Sequence, residues 1–169
     1  MNLRTAPVLA IARMVLGILM VLLFFLPLFS SPLMDLNGPD TVEFVREAPR
    51  EKIRIFDRLT GILMLVVPIG SVFLGFLSVG FGALGLQKSA PKGELVLSIL
   101  CGVNLVAGFI LVVKMTSVDK TFFNAFLPQP SMFFYLLLGL HFLQITAYII
   151  YRLLEQNQAV LSAQDHLEQ

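Results

Sequence analysis

The 169-residue chain has no tryptophan, one cysteine and two histidines, and only 14% of its residues are charged, against roughly 25% in an ordinary soluble domain. The single Cys101 excludes an intramolecular disulfide, and thiolate metal sites and CxxC redox chemistry need more cysteines than one. Of the histidines, His141 lies in an apolar stretch and His166 in a polar tail, so one intramembrane imidazole cannot supply two axial haem ligands. Neither sign of charge is in real excess, since 12 basic residues face 11 acidic ones; electrostatics therefore selects no nucleic acid and no cationic substrate. The phosphate-binding, dinucleotide, zinc-protease and nucleophile-elbow patterns are missing as well. The expectation is a protein that is not an enzyme and carries no metal or other cofactor.

What is abundant is apolar sequence without charge. Residues 14–34, 59–87, 95–113 and 121–151 contain no Asp, Glu, Lys or Arg, as expected when lipid is the solvent and charges are confined to the ends of spans. Backbone polar groups in hydrocarbon must be satisfied within their own segment, and the stretches lack the apolar–polar alternation of a barrel, so they read as helices. The fold expected is an all-α integral membrane protein with four transmembrane helices, at about residues 10–30, 59–86, 95–113 and 131–154. Arg4 and Arg13 before an apolar run that closes on Phe29, Ser30 and Ser31 imitate a secretory signal. That run is longer than a usual signal core, so it reads as a retained first span in which Pro27 falls near the end. The second span is long enough that it must tilt, project or bend at Pro68, with bending favoured. Tyr135 and the pair Tyr148 and Tyr151 fall toward opposite ends of the fourth, as an aromatic belt requires.

The connections differ in length. The first, 31–58, has 28 residues, with Asn37-Gly38-Pro39 as a turn followed by two short helical candidates divided by Pro49. Asp40 is the expected cap of the first candidate, with Glu43 as its capping-box partner. The second carries Ile53 and Phe56 among charges and reads as an amphipathic surface helix or a solvated connector. Phe122, Phe123 and Phe126 in the last connection are expected to dip into the interface, and the tail 155–169 to continue as helix beyond the membrane. For orientation, Lys88 and Lys92 in a very short loop and the basic residues ahead of the first span favour both termini inside, in a membrane of the bacterial inner type. The bare count of basic residues points the other way, because Arg46, Arg50, Lys52, Arg54, Arg58, Lys114 and Lys120 would then lie outside.

Three features invite a functional reading. Ser71, Gly75, Ser78, Gly82 and Gly85 recur every three or four residues, a small-residue seam that lets another helix approach closely. The expected use is packing against the chain's own spans, with docking of a partner as the sharper alternative. Asn104 sits near the middle of the third span and His141 near the middle of the fourth, with Gln144 and Tyr148 on the same face as His141. These polar midplane candidates are expected to form an interhelical hydrogen bond that fixes helix register. Arg13 is expected to snorkel to the N-terminal interface. No acidic residue falls inside an expected span, so no carboxylate chain for proton relay is foreseen. The function expected is a non-catalytic accessory or scaffold subunit of a larger membrane complex, with the lipid bilayer and other membrane subunits as partners and no nucleic acid. The alternatives are a small transporter or channel component with a polar midplane path, and a redox or quinone-linked membrane enzyme subunit.

Overall fold

The computed structural model describes residues 5–47, 58–87, 91–117 and 128–167. Among them five helices follow one another: α1 (Thr5–Phe24), α2 (Gly38–Glu47), α3 (Arg58–Gln87), α4 (Pro91–Thr116) and α5 (Met132–Leu167). All but α2 contain a segment long and apolar enough to cross a membrane: Pro7–Phe24, Arg58–Leu86, Gly93–Thr116 and Met132–Leu154. They form a ring in the order α1–α3–α4–α5, with α5 returning to α1. The expected amphipathic helix after Pro49 and the phenylalanines 122, 123 and 126 lie outside the described residues.

Several boundaries differ from the sequence reading. Helix α1 starts at Thr5 and ends at Phe24, well short of Ser30. Its stop follows from Pro27, which disfavours helical geometry at Leu26 and has no N–H to donate. Phe25 and Leu26 close the helix with tight bonds back to the carbonyls of Leu22 and Leu23, both 3.1 Å. Helix α4 begins at Pro91, a residue tolerated in a first turn because the missing N–H would have had no partner there. In α2 the cap is Asn37, whose Oδ1 accepts from the Asp40 N–H at 2.8 Å; Asp40 therefore sits in the first turn and does not cap it. Pro68 lies inside an uninterrupted α3.

The residues released after α1 build something that helical and strand periodicities do not foresee. Two-residue strands β1 (Phe29–Ser30), β2 (Asp35–Leu36) and β3 (Gln129–Pro130) form an antiparallel sheet in the order β2–β1–β3. Phe29 pairs with Leu36 on one side and Pro130 on the other. Proline is tolerated in β3 because it is an edge strand. Ser131 clamps the corner: its N–H donates to the Leu28 carbonyl at 2.9 Å and its hydroxyl to the Pro27 carbonyl. The same hydroxyl oxygen caps α5 by accepting from the Phe133 N–H at 3.1 Å. The sheet thus joins the end of α1 to the start of α5 and marks one end of the bundle.

Along the small-residue seam α3 packs closely against α1. A Cβ at Gly75 would lie 2.8 Å from the Gly17 carbonyl oxygen, and one at Gly82 would lie 2.8 Å from that of Ala10. The two backbones touch here, which only glycine permits. The seam is occupied by α1, a span of the same chain.

Candidate functional site

The interior of the ring is where polar chemistry collects, because an apolar exterior leaves no other low-cost place for it. Ser71 from α3, Asn104 from α4 and His141 from α5 meet in one cluster, all buried. His141 Nε2 lies 2.8 Å from Ser71 Oγ and 2.9 Å from Asn104 Nδ2. Asn104 Nδ2 also reaches Ser71 Oγ at 3.0 Å and the Val67 carbonyl at 3.1 Å. The amide nitrogen has two hydrogens for these three acceptors; in the arrangement where one goes to Nε2, Nε2 accepts and a neutral ring carries its proton on Nδ1.

Nearer the end of the bundle opposite the sheet, a second cluster joins α1, α3 and α5. Ser78 Oγ donates to the Arg13 carbonyl at 2.9 Å, and Gln144 Nε2 donates to Ser78 Oγ. α3 and α5 stand diagonally in the ring, so the bonds from Ser71 and Ser78 to α5 cross the middle of the bundle. Ser71 and Ser78 are the polar members of the seam; Ser78 contacts α1 as well as α5, and Gly75 and Gly82 face α1. Gly85 also faces α1, at looser contact, with its Cβ position 3.5 Å from Ala10 Cβ. Tyr148 is half-buried and takes no part in these bonds among the described residues.

Arg13 corrects the sequence reading most. Its side chain does not snorkel outward: it is 3% exposed and turned inward, with Nη2 3.8 Å from Glu94 Oε2. Glu94 in turn places an acid inside the third span, against the expectation of none. Both errors share a cause. A first span drawn from Ala10 leaves Arg13 near its end, whereas a helix that starts at Thr5 carries Arg13 two turns inward. Glu94 sits in the first turn of α4, where the positive end of the helix dipole favours a carboxylate. In the interior, Arg13 Nη1 and Nη2, His141 Nδ1 and Gln144 Oε1 find no hydrogen-bond partner among the described residues. At about 1–3 kcal/mol for each unsatisfied buried group, such a set would consume much of the ~5–15 kcal/mol that holds a typical domain together.

The cluster of Ser71, Asn104 and His141 can be tested for coupling. Asn104→Leu and His141→Leu should each destabilise the bundle by about 0.6 kcal/mol, up to 1–2. The double variant should lose less than the two single losses combined, because removing either side already loses the pair. Denaturant titration in detergent measures all three, and strict additivity would mean that the 2.9 Å contact contributes nothing.

Among the described residues no three of His, Cys, Asp and Glu come together as a metal site. Cys101 is buried on α4, one turn before Asn104. No protein-family model, curated protein or solved structure matches the chain.

Proposed function

We propose that the chain is a four-span integral membrane protein that serves as a non-catalytic accessory or scaffold subunit of a larger membrane complex. The observation that carries this reading is the use of the interior polar groups. Ser71, Ser78, Asn104 and Gln144 each bond to another span of the same chain, which locks helix register, the ordinary role of polar groups between membrane helices. The outward faces keep large apolar side chains such as Phe73, Phe76, Phe109 and Phe142 exposed, a surface suited to lipid and to neighbouring helices. Partner contacts fall to these outward faces, since α1 fills the seam of α3.

Mild-detergent extraction from native membranes, followed by mass determination of the intact particle, tests the proposal. The chain should travel with other membrane subunits in a fixed ratio. Recovery as an isolated monomer, or as a homo-oligomer around a central pore, would overturn the subunit reading in favour of a self-sufficient or conducting protein.

The reading places both termini on the cytoplasmic side of a bacterial inner membrane, with the sheet end exported. A cysteine at Asn37, in a Cys101→Ala background, should then react with an impermeant maleimide in whole cells, and one at Ser89 should not. The reverse labelling pattern inverts the topology.

A further inference from the structure

Helix α5 is longer than a membrane crossing needs. Its apolar span ends at Leu154, yet the helix runs on to Leu167, about 20 Å further at ~1.5 Å per residue. The other helices stop at that end of the bundle. Helix α1 begins at Thr5 with its span at Pro7, α3 ends at Gln87 with its span at Leu86, and α4 begins at Pro91 with its span at Gly93. Among the described residues, no other helix is long enough to accompany the extension.

One face of α5 keeps a seven-residue register from the span into the extension. Leu136, Leu143 and Ile150 recur at intervals of seven, and Gly139, Thr146 and Leu153 do so three positions later. This face turns away from the bundle: the leucines and the isoleucine are 45–55% exposed, and a Cβ at Gly139 would meet nothing within 4 Å. Thr146 satisfies its own hydroxyl on the Phe142 carbonyl at 3.0 Å. Beyond the span the same register passes through Asn157 and Gln164, and through Val160 and Leu167. Such spacing is the mark of helices that wind around each other. Lipid can cover the face within the span, but hydrocarbon does not reach past Leu154, and there the register persists.

The chemistry of the extension selects what meets it. Residues 155–169 hold three acids and no Lys or Arg, whereas a helix that lies on an anionic lipid surface is basic. Glu155 and Asp165, the two acids within the helix, fall off the register, and Asn157 and Gln164 fall on it. Two copies inserted with one topology are parallel, so each seam amide meets its own counterpart, donor to acceptor. A polar residue at such a position fixes the register of a helix pair.

We infer that the outward face of α5 is the interface between two copies of this chain, a parallel two-fold helix pair that starts in the membrane at Leu136 and continues beyond it to Leu167. The pairing goes beyond the subunit reading, and the two fail separately. A complex that holds one copy of the chain defeats the pairing alone; an isolated pair of copies defeats the subunit reading alone.

Disulfide scanning of the full chain in native membranes tests it. In a Cys101→Ala background, Gly139→Cys, Leu153→Cys and Val160→Cys sample the seam, and Gln158→Cys and Ser162→Cys sample the rest of the extension. Under mild oxidation the seam cysteines should link two copies at least about tenfold faster than the other two, because a disulfide needs Cα atoms about 5.5–6 Å apart. Asn157 is exposed, so Asn157→Asp leaves the bundle intact while it sets two carboxylates face to face. That change should slow linkage at Val160→Cys at least about tenfold, and Gln158→Asp should not. Equal rates at all five positions, seam cysteines linked only to a protein of another mass, or Asn157→Asp without effect would each overturn the pairing.

Discussion

Gly75→Leu and Gly82→Leu should each lower the thermal unfolding midpoint by several degrees, while Gly80→Leu leaves it near the parent value. All three are glycines of one helix, so intrinsic propensity changes them alike. They differ in what a side chain would meet. At Gly75 a Cβ would approach the Gly17 carbonyl oxygen to 2.8 Å, and at Gly82 it would approach Met14 Cγ to 2.5 Å and the Ala10 carbonyl oxygen to 2.8 Å. At Gly80 nothing lies within 4 Å. A carbonyl cannot move aside as a rotamer can, so α1 and α3 must separate along the seam. Overpacking costs typically about 1–3 kcal/mol, which in a chain of this size corresponds to roughly 2–12 °C. Circular dichroism melts in detergent measure the shift, and equal midpoints for the three variants would show that the seam holds nothing together.

The contrast between Gly75 and Gly80 is legible in residue spacing alone, which puts Gly80 off the stripe. The partner of the stripe is not. Gly17, whose own Cβ position lies 2.5 Å from the Gly75 carbonyl oxygen, is a single glycine in α1 without a repeat around it. The four apolar helices are readable because long charge-free stretches reflect transfer into lipid, a large and additive signal. The sheet is unreadable because two-residue strands have no periodicity to detect. Its contacts also join residues about a hundred positions apart, as in Phe29 with Pro130.

For the interior, residue type and depth are enough to bring Asn104 and His141 to the same level, since the middles of two spans share one depth in the membrane. What escapes is the third member. Ser71 reads as a packing residue in the sequence, yet its hydroxyl lies within 2.8 Å of the imidazole. A serine carries both roles without any mark in the sequence that separates them. Arg13 and Glu94 escape through boundary placement, the weakest part of a periodicity reading, because a shift of one helical turn decides whether a charge lies at the surface or inside.

Glu94→Gln should destabilise the protein by about 3 kcal/mol, more than either midplane substitution, since it leaves the guanidinium of Arg13 in the interior without its carboxylate. The pair is 3.8 Å apart, with side chains 3% and 12% exposed, far from the screened surface geometry in which such pairs contribute little. Arg13→Met should cost less, because an orphaned glutamic acid can take up a proton and become neutral, a route closed to arginine. Joining the two changes as Arg13→Met with Glu94→Leu should recover most of the loss, because a well-packed apolar replacement of a buried ion pair is often neutral or stabilising. The Ser78 bond survives in every variant, as it is accepted by the Arg13 backbone carbonyl and not by the guanidinium. Unfolding titrations of the parent and the three variants give the coupling directly. A Glu94→Gln loss below about 1 kcal/mol would place the pair in a surface-like, screened environment, whereas a double variant as damaged as the sum of its parts would mean that Arg13 and Glu94 act independently.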